Sequence, residues 1–103
     1  MTKIILCCSA GMSTSLLVTK MQAAAKAEGK DVSIQAMSYT DVPNHEDEMD
    51  VLLLGPQVRY LLNKLKPQYA EKGIPVEVIP TVDYGTMNGP KVLKLALELV
   101  ANK

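Results

Sequence analysis

Two adjacent cysteines, Cys7 and Cys8, precede a stretch of small and hydroxyl-bearing residues that reads Ser-Ala-Gly-Met-Ser-Thr-Ser at positions 9–15. An apolar run at positions 4–6 comes before them, and apolar residues recur at helical spacing after Ser15. This pattern predicts a strand end, a tight loop and a helix start. Such a loop can direct several backbone N–H groups at one point, where the helix adds its unpaired N-terminal N–H groups and positive dipole end. We therefore predict an anion site here.

The two cysteines are expected to differ in their chemistry. Cys8 lies at the rim of the loop, where donors that hold a phosphate also stabilise a thiolate, so we predict that Cys8 is the reactive residue. A thiolate beside a phosphate site suggests a phosphocysteine intermediate, with nucleophile and anion site supplied by one loop. Cys7 alternates to the other side of the strand and reads as a small buried residue. The same reading stays open for Cys8, because strand–loop–helix junctions with Gly and Ser are common.

Length and composition limit the class of protein. The 103 residues suffice for one domain with one core, which we place at residues 1–103. Hydrophobic residues make up 48%, and 11 basic residues balance 11 acidic ones, so neither disorder nor a nucleic-acid partner is indicated. No apolar run approaches the roughly 20 residues that span a bilayer, and no signal segment is visible. We expect a cytoplasmic protein without direct membrane insertion.

The composition also argues against a disulfide and a metal site. Neighbouring cysteines rarely reach relaxed S–S geometry. Two cysteines with a single histidine make a poor zinc site, and the lone His45 lies in a polar segment without visible partners, so we read it as a surface residue. We predict no metal ion and no cofactor.

Four short apolar runs predict the strands of a parallel sheet. The second run alternates apolar with polar residues, which is typical of an edge strand, and the third is wholly apolar, which is typical of a strand covered on both faces. The predicted strands span residues 3–8, 31–37, 51–54 and 76–79.

Helical spacing predicts helices at about residues 13–28 and 56–71 and from residue 90 onward. Residues 38–50 carry an acidic cluster and no apolar periodicity, so we read them as a solvated loop or a short helical turn. Residues 81–89 are a predicted loop with room for one helical turn.

Alternating strands and helices indicate an α/β fold, a single-domain four-stranded parallel sheet with helices on both faces. If the strand order is 2-1-3-4, the topological switch point lies between the first and third strands, where ligands bind beyond the carboxyl ends. That order brings the Cys8 loop close to Gln57 and Tyr84. We predict that Gln57 donates to a phosphate oxygen and that Tyr84 either does so or packs.

The segment Cys-Ser-Ala-Gly-Met-Ser-Thr-Ser-Leu-Leu-Val at positions 8–18, with Leu-Leu-Leu-Gly-Pro-Gln at 52–57 and Tyr-Gly at 84–85, resembles one protein family across the whole chain. It is similar to the enzyme IIB component of the lactose/cellobiose (chitobiose) class of the bacterial phosphoenolpyruvate-dependent sugar phosphotransferase system. The resemblance implies that the cysteine before Ser-Ala-Gly, Cys8, carries the phosphoryl group, while Cys7 has no family role. It also implies a phosphate-binding loop, formed by Ser9, Ala10, Gly11, Met12, Ser13, Thr14 and Ser15.

The resemblance further implies partners and a place of action. Enzyme IIA would donate the phosphoryl group from a phosphohistidine, and membrane-embedded enzyme IIC would present the sugar, so the protein would meet the inner face of the membrane only transiently. We expect Met12 and Leu16 to help form the shared docking surface. We expect a monomer, because no unpaired apolar helix face is evident. The sugar, whether cellobiose, chitobiose, lactose or a related β-glucoside, stays open.

Two other classes of cysteine protein are alternatives to the phosphocarrier. Low-molecular-weight protein tyrosine phosphatases use a similar cysteine loop, but with Arg six residues after the nucleophile, where this chain has Thr14. The missing arginine argues against a small cysteine-dependent phosphatase, which is nevertheless the second reading. No obvious general acid lies beside the loop in the sequence, and Asp83 stays open for that role. A dithiol redox protein ranks below it, since Cys7 and Cys8 would pair only under strain.

Overall fold

The computed structural model describes residues 1–8 and 12–102, without the side chains of residues 12–14. The strands are short and apolar, as the sequence predicts for a covered parallel sheet. They are β1 (Thr2–Cys8), β2 (Val32–Ser38), β3 (Val51–Leu54) and β4 (Val76–Val78). The α-helices are α1 (Met12–Ala27), α2 (Leu62–Ala70), α3 (Thr81–Gly85) and α4 (Gly89–Ala101), and two 3-10 helices span Val42–Glu48 and Pro56–Leu61.

All pairings in the sheet are parallel, and the strand order is β2-β1-β3-β4. The order predicted from the sequence is confirmed. The chain moves outward from β1 to β2, then crosses back to the other side of β1 to form β3 and β4. The switch point therefore lies beside the carboxyl end of β1, where Cys8 is the last strand residue.

Helices cover both faces of the sheet, in three layers. Alternate strand residues such as Ile4 and Leu6 pack against α1 and α4, while Ile5 and Cys7 pack against α2 and the 3-10 helices. Burying apolar area of this kind contributes about 25 cal/mol per Å². The packing fixes which side of β1 each cysteine faces.

The predicted helix at residues 56–71 has two parts. Its first part is the 3-10 helix, interrupted by a non-helical Val58 (φ −116°, ψ 24°), and α2 follows. The side chains of Val58 and Leu61 are both buried, 2% and 6% exposed. Residues three apart lie on one side of a 3-10 helix, so this geometry places both on the sheet.

Residues 38–50 are more than a solvated loop. The 3-10 helix there buries Val42 against the sheet, and the Glu46 carboxylate accepts from the Tyr69 hydroxyl at 3.0 Å and is paired with Lys72. The two hydrogen bonds lower the pKa of Glu46. His45 Nδ1 lies 2.5 Å from Glu48 Oε2, so the histidine has a partner that its sequence context did not reveal.

We expect two buried groups to weaken the fold in alkali. Burial, and then the charge of Cys8, raise the pKa of Cys7 to about 11, while burial and the bond to Glu46 raise the pKa of Tyr69 to about 12. The unfolded chain loses these protons earlier, near pH 8.5 for Cys and 10 for Tyr. The stability that these two protonated groups contribute is therefore fully present below about pH 8.5 and 10, respectively. It is lost as the pH rises through about 11 for Cys7 and about 12 for Tyr69.

Urea unfolding across pH 8–12 measures this loss. We expect Cys7→Ala to flatten the lower part of the decline and Tyr69→Phe the upper part. Curves for both variants that run parallel to the wild-type curve would contradict the assignment.

Candidate active site

All four strands of the parallel sheet end at the same edge, and a helical element follows each of them. After β1 the chain enters α1 at Met12, after β3 it enters a 3-10 helix at Pro56, and after β4 it enters α3 at Thr81. Helix starts carry unpaired N–H groups and the positive end of the helix dipole. The edge beside Cys8 therefore favours a negative charge.

The two cysteines are both buried but lie in different surroundings. Cys7 is 0% exposed and belongs to the apolar cluster under α2, whereas Cys8 is 1% exposed and ends β1 at the switch point. The raised pKa of Cys7, about 11, keeps its thiol protonated at neutral pH. Only the thiolate is an effective nucleophile, so Cys7 is unsuited to accept a phosphoryl group.

Gly55 joins the end of β3 to the backbone beside Cys8. Its N–H donates to the Cys7 carbonyl at 2.9 Å, which continues the ladder between β1 and β3 by one residue. The next residue, Pro56, lacks an N–H and starts the 3-10 helix. This arrangement turns the chain sharply away from the sheet and leaves Gln57 at the edge.

Gln57 and Tyr84, predicted as supporting residues, are brought together by the fold. Gln57 Nε2 donates to the Tyr84 hydroxyl at 2.9 Å. Tyr84 is 9% exposed and packs in the cluster under α1 and α4, while Gln57 is exposed. Each residue follows a strand that lies on the β3 side of the switch point. Their role toward phosphate stays a prediction.

The predicted phosphate loop is described only in part. Ser9, Ala10 and Gly11 lie outside the described residues, and Met12, Ser13 and Thr14 lie in α1 with side chains outside the description. Ser15 is exposed in the first part of α1, and its carbonyl accepts from the Thr19 hydroxyl at 3.1 Å. The loop's role in binding phosphate also stays a prediction.

A small polar cluster beside Cys8 was not predicted from the sequence. Ser38 ends β2 in register with Cys8, and its hydroxyl donates to Asp41 Oδ2 at 3.1 Å and lies 3.0 Å from Thr40 Oγ1. The register between parallel strands depends on how the strands pack, so it could not be read from the sequence. The one signal was that the predicted strands 3–8 and 31–37 have similar lengths, which places their last residues near each other.

Residues 1–8 and 12–102 contain neither a candidate metal site nor a candidate membrane span. In those ranges no three His, Cys, Asp or Glu residues are grouped so that they could hold a metal ion. None of the helices in the same part of the chain combines the length and apolar character that crossing a bilayer requires.

Comparisons with known proteins show the family of the chain. The family described as the PTS system, lactose/cellobiose-specific IIB subunit, matches residues 3–95. The galactose-specific EIIB component of Lactococcus lactis subsp. cremoris is 47% identical over 102 residues, covering 94% of each chain. The cellobiose-specific EIIB component of Lactococcus lactis subsp. lactis matches equally, at 47% over 102 residues and 94% of each chain.

A solved structure is similar in fold and in sequence. The cellobiose-specific phosphotransferase IIB component of Borrelia burgdorferi superposes with a TM-score of 0.83 at 45% identity, covering 99% of this chain and 94% of that one. Together with the family match, this similarity confirms the resemblance carried by the cysteine segment. The chain belongs to the lactose/cellobiose-specific IIB family of the sugar phosphotransferase system.

Proposed function

We propose that this protein carries a phosphoryl group on Cys8, accepting it from a phosphohistidine of enzyme IIA and donating it to a sugar held by enzyme IIC. The family supports a phosphotransferase of this kind. The observation that carries the assignment to Cys8 is its place as the last residue of β1 at the switch point, just before the start of α1. Ligands of doubly wound sheets bind at that place.

The transfer consists of two displacements at phosphorus. In the first, the Cys8 thiolate attacks the phosphohistidine, so that the P–S bond forms while the P–N bond breaks and the imidazole keeps the electron pair. In the second, a sugar hydroxyl attacks and releases its proton to solvent, the P–O bond forms, and the P–S bond breaks to restore the thiolate. The helix start at Met12 stabilises the negative charge carried on the phosphoryl oxygens in both steps.

A carrier must also resist attack by water on its phosphothiol. A phosphatase of the similar cysteine-loop type has an arginine six residues after its nucleophile, and this chain has Thr14 there. Without the bidentate guanidinium, the loop lacks a large part of the charge stabilisation that hydrolysis requires. We therefore expect a slowly hydrolysing phosphocysteine.

Intact-mass spectrometry tests the proposal on the unmodified chain. We expect incubation with phosphoenolpyruvate, the general phosphotransferase proteins and a lactose-class enzyme IIA to add a single phosphoryl group, which peptide fragmentation places on Cys8. Omitting enzyme IIA is the control and should leave the mass unchanged. No added mass with several phosphorylated IIA proteins, together with phosphate release from an aryl phosphate by the chain alone, would instead support the phosphatase.

Exposed apolar side chains lie on the elements that follow β1, β3 and β4, and they support docking of enzyme IIA near this edge of the sheet. Leu16 on α1, Tyr60 after β3 and Val82 on α3 are 52%, 72% and 74% exposed. Each belongs to the element that follows the carboxyl end of a strand, and Cys8 lies at the same edge of the sheet. Apolar and aromatic residues of this kind often dominate binding energy at interfaces.

Leu16→Asp should weaken docking while the fold is retained, because the side chain is exposed. We expect the concentration of phosphorylated enzyme IIA at half-maximal transfer rate to rise about tenfold, the equivalent of about 1.4 kcal/mol. Ala23→Asp, an exposed position on the same helix farther from its start, is the matched control. Equal effects of the two substitutions would contradict a docking role.

The proposed partners determine where the protein acts. We propose that it is cytoplasmic, monomeric when alone, and in contact with the membrane only through enzyme IIC. The relatives named above serve galactose and cellobiose at the same identity, so for this chain we propose the coarser class of a lactose- or cellobiose-type sugar.

A further inference from the structure

Gln57 has an exposed side chain that the fold nevertheless holds in one place. Its Nε2 donates to the Tyr84 hydroxyl, and its Oε1 occupies the space beside Gly55, where a Cβ would stand 2.5 Å away. Gly55 has φ −63°, which any residue adopts, so the backbone does not require glycine there. The missing Cβ instead leaves room for the Gln57 amide.

Stability does not account for this arrangement. Fixing an exposed glutamine removes rotamer freedom, and its hydrogen bond replaces bonds to water, so the net gain is small. Glycine in place of alanine also gives the unfolded chain more freedom, which weakens the fold. Residues that lower the stability of the fold but hold a side chain in a defined position are typical of functional sites.

The position of the bond links it to Cys8. Gln57 lies in the 3-10 helix after β3, Tyr84 lies in α3 after β4, and Gly55 between β3 and Gln57 donates to the Cys7 carbonyl. The Gln57 amide therefore lies between the mostly buried Tyr84 and Gly55, whose N–H is bonded to the residue before Cys8.

We propose that Gln57 is a positioning residue, which acts on phosphoryl transfer by orienting the Tyr84 hydroxyl, and that Gly55 lacks a side chain to admit it. By filling one acceptor site of the hydroxyl oxygen, the amide limits the directions in which the Tyr84 O–H can donate. Gln57 then acts through Tyr84 rather than on phosphate directly. This role rests on the proposed phosphocarrier function.

Gly55→Ala is a selective probe of this arrangement. The new methyl group collides with the end of a flexible side chain, while the Cys7 carbonyl lies at an ordinary 3.5 Å, so the amide is displaced and the backbone is retained. We expect Gly55→Ala, Gln57→Ala and Tyr84→Phe each to lower the maximal rate of phosphoryl acceptance about tenfold. The concentration of phosphorylated enzyme IIA at half-maximal rate should not change, since docking is unaffected.

The double variants separate positioning from other roles. In a Gln57→Ala background, Gly55→Ala should have no further effect, because no amide remains to be displaced. In a Tyr84→Phe background, Gln57→Ala should likewise add nothing. Single variants at the wild-type rate, multiplicative losses in the doubles, or a change in half-saturation with an unchanged maximal rate would each overturn the proposal.

The wild-type chain is measured first under the same conditions. If it accepts no phosphoryl group from any enzyme IIA, the proposed function itself fails. If it is phosphorylated and the three single variants react at its rate, only the positioning role fails.

Discussion

Cys8→Ser is expected to abolish phosphoryl acceptance, whereas Cys7→Ser is expected to retain it and to lose stability. The two residues are neighbours in β1 and both are buried, so the same substitution makes a matched pair. Any difference in transfer then reports position rather than residue type.

The physical reasons for the two outcomes differ. A serine hydroxyl at position 8 stays protonated at neutral pH and is a weak nucleophile without an adjacent base, so no stable phosphoryl adduct should form. At position 7 the hydroxyl enters an apolar cluster with Leu52, Leu54 and Tyr69. Burying a poorly satisfied hydroxyl there should cost about 1–3 kcal/mol of unfolding free energy.

Intact mass after incubation with phosphorylated enzyme IIA measures the first effect, and urea unfolding measures the second. Circular dichroism of Cys8→Ser checks that the loss of acceptance is not a loss of fold. A phosphorylated Cys8→Ser chain, or a Cys7→Ser chain that is folded but accepts nothing, would show that the wrong cysteine has been assigned.

Gly89→Ala should cause a large loss of stability although it adds only one methyl group. Gly89 begins α4 where it crosses α1, and an added Cβ would lie 2.5 Å from the Lys20 carbonyl carbon and 2.8 Å from the Met21 nitrogen. These atoms belong to the α1 backbone, so the whole helix would have to shift. We expect the free energy of unfolding to fall by about 3 kcal/mol, as for overpacked interiors.

Gly85→Ala is the control for this prediction. Gly85 ends α3 and has no atom within 4 Å of the added Cβ, so the substitution should raise stability by about 0.5–1 kcal/mol through the unfolded chain. Urea unfolding of both variants gives the comparison. Equal shifts of the same sign would mean that the α1–α4 contact tolerates a side chain.

The sequence alone determined the four strands of the sheet, the helix after the cysteine segment and the helix near residue 90. The apolar runs at residues 4–6 and 51–54 are short and unbroken, which is typical of covered strands, and their alternation with helical periods favours a parallel sheet. The order of Cys8, a small-residue loop and a helix start is local in the chain, so it could be read without knowing any long-range contact.

The tertiary structure decided which distant side chains meet. Gln57 and Tyr84 bind each other, Glu46 binds Tyr69, and Ser38 lies beside Cys8. The sequence pointed to the first two as neighbours but not to their hydrogen bond, and it gave no sign that an acidic segment would cover a buried tyrosine.

The reason is that local patterns report the period of an element, whereas register, kinks and close approaches depend on packing between elements. The break at Val58 lies where Val58 and Leu61 pack on the sheet, and the glycine at position 89 allows α1 to pass close to α4. At Gly55 a Cβ is excluded because the side chain of Gln57 folds back and occupies that position. None of these steric constraints can be read from the sequence, because each arises from contacts that form only in the folded chain.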